Sequence, residues 1–148
     1  MRQVLRLLAC LVLCAACAGT PKLQLERADK LARDGQLAHA LVAYDRVAAR
    51  KDASVAEKLQ GLLDGADVCD RLNDADGARA RLERGVALES PGLTEKALYY
   101  LAEHTRAADR ARALNLYYRA AAMAERNGRS FPYKAAMDRI IQMSMSPQ

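Results

Sequence analysis

Tryptophan is absent from the sequence and phenylalanine occurs once. Beyond residue 17, cysteine is reduced to Cys69, so the body of the chain has no pair from which to form an internal disulfide. No stretch alternates polar with apolar, β-branched residues, which excludes a sheet-built core. Long hydrophobic runs are missing too. The run beginning at Val4 covers about a dozen residues, against the roughly 20 that cross a bilayer as a helix. No Ser-His-Asp grouping, glycine-rich phosphate loop or H-E-x-x-H motif is present. The sequence therefore offers no catalytic residue, cofactor site or metal site, and an enzyme is not expected. Asp67, Asp70, Asp74 and Asp76 have helical spacing, and no glutamate closes a calcium loop around them. His39 and His104 read as surface or half-buried histidines, and Cys69 as a small core hydrophobe.

What is present begins with export. Met1 to Arg6 is a short basic start, Leu7 to Ala16 is uninterruptedly apolar, and small residues follow, which is the plan of a secretory signal. Three of the four cysteines, Cys10, Cys14 and Cys17, crowd into this segment without zinc-site spacing. Cys14-Ala15-Ala16-Cys17 resembles the lipobox of bacterial lipoproteins, although that family usually has leucine where Cys14 stands. The resemblance implies a signal peptide over 1–16, a diacylated Cys17 as the new N-terminus, and a tether over 17–21. Ala18, after the cysteine, is not the retention-type Asp, which implies the outer membrane facing the periplasm. The alternative is cleavage after Ala18, releasing a soluble periplasmic protein. Removing Arg2 and Arg6 with the leader takes the formal charge from +5 to +3, too little for a clustered nucleic-acid face. The remaining length, about 130 residues, suits one domain of modest core. Alanine and leucine dominate it, a helix-forming composition.

A repeat is written into that domain. ADKLARDGQLAHALVAYDRV, from Ala28, recurs as ADVCDRLNDADGARARLERG from Ala66 and as LAEHTRAADRARALNLYYRA from Leu101, at intervals of 38 and 35 residues. Further columns agree: Leu25, Leu63 and Leu98; Arg33, Arg71 and Arg106; Arg46, Arg84 and Arg119. The spacing describes a helical hairpin. A small residue, Ala28 or Ala66, lets helices approach, and Gly35 or Asn73 takes the left-handed backbone that ends the first helix. Ala40, Ala78 or Ala113 then packs back from the second helix. Tyr44, Leu82 or Tyr117 fills the space toward the next hairpin. A final amphipathic segment, with Ser130 as a cap-like residue before Pro132 and with Ala136, Ile140 and Met143 on one face, would close the open end.

Over 22–126 these residues resemble tetratricopeptide repeats, and ALNLYYRAAAMAERNG is also similar to the related Sel1-like repeat. The resemblance implies an all-α domain over 22–148: three antiparallel hairpins stacked as a right-handed superhelix with a C-terminal capping helix. It further implies that first helices line a groove for a peptide or protein partner. The residues expected there are Leu25, Asp29 and Arg33; Leu63, Asp67 and Arg71; Leu98, Ala102 and Arg106. Leucines would supply apolar anchors and the arginines would grip carboxylates. The alternative is that Arg33 and Arg71 simply pair with Asp29 and Asp67 on a solvated helix. Lysine and asparagine, which in the family clamp peptide C-termini, are replaced at nearby columns by Leu and Asp, so that specificity does not carry over. Tyr99, Tyr100, Tyr117 and Tyr118 make a second candidate patch, half of it core. The expected function is an envelope adaptor or assembly factor that binds another protein; the alternative is a self-associating envelope scaffold.

Overall fold

The computed structural model describes residues 19–145; the leader, Cys17 and the start of the tether lie outside them. Among the described residues every regular element is helical: α1 Pro21–Arg33, α2 Leu37–Ala49, α3 Val55–Arg71, α4 Ala75–Val86, α5 Thr94–Thr105, α6 Arg110–Arg126 and α7 Ser130–Met145. None is long and apolar enough to cross a membrane. Each helix packs on its neighbours in sequence, α1 also touches α3, and α5 also touches α7. The hairpins α1–α2, α3–α4 and α5–α6 thus stack in order, with α7 against the last.

Local chemistry sets the boundaries. Thr20 accepts the Leu23 amide ahead of Pro21, and Ser54 and Glu57 form a reciprocal capping box. Asp74 accepts from Gly77 N–H and Asp109 from Arg112 N–H, each at 2.9 Å. Such caps contribute about 1 kcal/mol apiece. α1 and α3 end where Gly35 and Asn73 adopt positive φ, 78° and 59°, at the two positions the repeat requires. The third turn has no such residue, and Asp109 N–H returns to the Thr105 carbonyl at 2.8 Å instead. Phe131 is extended (φ −110°, ψ 136°), so the continuous part of α7 runs from Pro132 rather than from a cap at Ser130.

The repeat columns form the core. Ala28, Ala66 and Leu101 are buried, as are Ala40, Ala78 and Ala113, and Tyr44, Leu82 and Tyr117. Val47, Gly85 and Ala120 complete the pattern. At Gly85 an added Cβ would lie 2.8 Å from the buried Leu59 Cδ1, which would have to shift. Ala136, Ile140 and Met143 of α7 join the same core. Cys69 is buried within it, and burial pushes its thiol pKa up against the pull of Arg81. The α4–α5 connection is held by the buried Glu95, which accepts from Gly92 N–H at 2.6 Å and from the Asn127 side-chain amide.

Polar ties run between helices. Arg81 of α4 grips Asp45 of α2 with both nitrogens (3.1 and 2.6 Å) and also donates to the Gly77 carbonyl. Tyr44 OH donates to Asp29 at 2.6 Å, and Tyr117 OH to Glu103 at 2.6 Å. Glu103 also receives Arg139 of α7 at 2.7 and 3.3 Å, tying the closing helix to α5. At the other end, Arg50 donates to the Gly19 carbonyl at 3.0 Å and so ties the last of the expected tether to the domain.

Candidate functional site

The pairing of first helices is uneven, and the unevenness has a sequence cause. On α3, Gly61 faces the preceding hairpin, where a Cβ would lie 3.0 Å from the Tyr44 carbonyl oxygen; Gly65 lies under Arg81 of its own hairpin, whose Cδ would be 3.2 Å from a Cβ, with Tyr44 Cβ at 3.6 Å. Backbone can approach backbone at Gly61 because no side chain intervenes. Thirty-five residues on, the columns of Gly61, Gly65 and Cys69 hold Lys96, Tyr100 and His104. α4 and α5 are the least closely packed neighbours in the stack, and Lys96, Tyr100 and His104 line the space beside them. α5 stands off from α3, and a cavity of about 270 Å³ opens between them. That volume suits one long side chain and falls below the usual range for a small-molecule pocket.

Its walls differ in chemistry. From α3 come Gln60, Leu63, Asp64, Asp67 and Asp70; from α5 come Lys96, Tyr100 and His104; Leu82 of α4 also contributes to the lining. Gln60 donates its amide to both oxygens of Asp64 at 2.8 Å. Burial pushes the Asp64 carboxyl up to about 6; Asp29 and Asp67 add to the rise, and Gln60 and Lys96 oppose it. Asp70 faces His104 Nε2 at 3.2 Å. Among the described residues neither Asp64 nor Asp67 forms an ion pair. Asp67 also lacks the phenol partner that its counterpart Asp29 has. In the first hairpin the column of Tyr44 supplies a phenol to Asp29, whereas in the second that column is Leu82. At the α5 rim Tyr100 and Phe131, each about two-fifths exposed, form an aromatic ledge over Tyr99, with ring centroids 5.5 to 6.5 Å apart.

The face expected from sequence is partly here. Leu63 and Asp67 line the cavity, and Leu25 and Asp29 lie half-buried on α1, Asp29 turned in toward Tyr44. Leu98 and Ala102 do not: both are buried in the core. The arginines sit at helix ends rather than along a groove. Arg33 and Arg71 occupy the last turns of α1 and α3, Arg106 is the C-cap of α5, and all three are exposed. Arg71 donates to the Ala32 carbonyl at 2.8 Å, and Arg106 lies 3.8 Å from Glu103. Cations there complement the helix dipoles. Of the four tyrosines, Tyr117 is buried, Tyr99 half-buried, and Tyr100 and Tyr118 exposed. Sequence reading missed Asp64 and Lys96, and expected Tyr100 in a separate tyrosine patch rather than in the groove; the signal was the replacement of two glycines by Lys and Tyr in register.

No protein-family profile matches the chain, and no curated protein matches it in sequence. Among solved structures, nearly identical TPR-like repeats of a Podosopora anserina protein designated a kinesin light chain superpose with a TM-score of 0.60 at 20% identity, over 84% of this chain and 66% of that one. The fold is that of stacked TPR-like hairpins. At that identity the likeness concerns architecture alone. The repeat columns make α1, α3 and α5 the first helices of the three hairpins, and the cavity lies between two of them. Among the described residues no group of three His, Cys, Asp or Glu side chains is disposed to hold a metal ion.

Proposed function

We propose that the chain is a non-catalytic module that binds another protein, and that a partner segment lies in the groove between α3 and α5. The observation carrying this reading is the groove itself: a cavity between first helices, walled by polar side chains and rimmed by exposed aromatic rings. TPR-like architecture supports it as analogy, because stacked hairpins present extended faces to partners. The N-terminal sequence supports a finer reading, in which Cys17 carries lipid and the module works as an adaptor or assembly factor on the periplasmic side of the outer membrane.

A photo-crosslinking residue in place of Tyr100, in cells expressing the full chain, tests the groove. Recovery of a discrete partner from position 100, and not from exposed position 118 on α6, supports the module reading. Identical products from both positions, or only copies of the chain itself, overturn it in favour of the self-associating scaffold. The mass of the mature N-terminus tests the anchor: acyl mass on Cys17 supports it, and an unmodified N-terminus at Gly19 overturns it.

A further inference from the structure

The groove is acidic: Asp64, Asp67 and Asp70 line it against the single lysine Lys96. The chain is basic overall, yet among the described residues Asp64 and Asp67 face a cavity with no ion pair of their own, and Asp70 beside them pairs with His104. Lys96 is the lysine of the lining and sits on the opposite wall, outside ion-pair distance of the described carboxylates. The cavity admits one extended side chain, and its rim continues into the Tyr100–Phe131 ledge. Carboxylates in a partly dehydrated cleft favour a cation, and exposed rings favour an apolar neighbour or the flat face of a guanidinium.

We infer that the groove receives a basic side chain, lysine or arginine, from a partner peptide, with an apolar neighbour of that residue resting on the Tyr100–Phe131 ledge. This rests on the module reading above and specifies its ligand. It reverses the polarity expected from the arginine columns: the partner segment is basic, not acidic. Asp64 and Asp67 supply the charge, Leu63 and Leu82 line the space around the aliphatic stem, and Tyr100 joins the charged and aromatic parts. The groups facing Asp64 are Gln60 and Asp67 on its own helix, Asp29 on α1, Tyr44 on α2 and Lys96 on α5. Because Asp64 must be ionised to contribute, binding weakens as pH falls through about 6.

The test uses protein purified from cells expressing the full chain and an immobilised library of short peptides. Their central residue is lysine, arginine, norleucine or glutamate, and their flanks are randomised. Retention of the lysine and arginine members with apolar flanks is expected. Asp64→Asn with Asp67→Asn should bind them about tenfold more weakly, whereas Arg33→Glu should bind them as wild type does. Relieving two unpaired carboxylates does not threaten the fold, so unchanged helicity separates lost binding from unfolding. Equal retention of norleucine or glutamate members overturns the cation and leaves the groove standing. Equal retention by wild type and by a triple variant adding Tyr100→Ala moves the peptides elsewhere and overturns both readings. If no peptide is retained, the inference fails and cross-linking at position 100 still decides the wider one.

Discussion

Asp64 shows how much one side chain can be changed by what stands across from it. Its carboxyl titrates near 6 rather than near the ordinary 3.8 because burial, with Asp29 and Asp67 close by, disfavours the charge. A folded-state pKa above the unfolded one means that, between those values, the folded chain holds more protons than the unfolded chain. Stability therefore falls as pH rises through that window. Asp64→Asn keeps the Gln60 contact and removes the titration. It is expected to be more stable than wild type near neutral pH by about 1–2 kcal/mol, with the gap closing toward pH 4. Urea unfolding of both proteins across that range checks this. Such a residue is hard to find in a sequence: on its own helix Asp64 reads like any solvated carboxylate, and what distinguishes it comes from α1 and α5. The alanine and tyrosine columns were legible because each repeats its role in successive hairpins. Leu98 and Ala102 misled for the same reason, since a shared column was taken to mean a shared exposure.

At the scale of elements, the contrast between α3 and α5 explains both the tight and the open joints. Gly61 lets α3 meet the backbone of α2, and that neighbour cannot move aside as a flexible side chain would. Gly61→Val should lower stability by about 2 kcal/mol through overpacking, read from urea midpoints. The closing helix depends on a different device. Although burial pushes the Glu103 carboxyl up, hydrogen bonds from Tyr117 and Arg139 hold it below the usual range. Glu103→Ala should cost about 2 kcal/mol, and amide exchange in α7 should accelerate more than in α2. The wild-type contribution of Glu103 is present above its unfolded pKa and is lost as pH falls through the lowered one. Helix number, hairpin order and two of the three turns were readable from spacing and from Gly35 and Asn73. Of the groove only the α3 wall, through Leu63 and Asp67, was legible, because a cleft between successive first helices is lined by the forward side of one and the rear side of the next. Columns equivalent in the repeat point the same way and cannot form both walls.

For the whole molecule, stability is distributed unequally along the stack. The first hairpin rests on a small cluster of Ala28, Ala32, Ala40, Tyr44 and Val68, while the later helices share a larger core containing Leu98, Leu116, Tyr117 and Ile140. In repeat architectures such differences appear as separate opening events. Native-state hydrogen exchange should therefore find α1 and α2 opening at lower free energy than α5 and α6. Equal protection across both would mean that the stack unfolds as a single unit. The substitution of Lys96 and Tyr100 for the two glycines also has a mechanical side. The joint between α4 and α5 is the least closely packed of the stack. An occupant wedged between α3 and α5 would touch two hairpins at once and brace the one against the other.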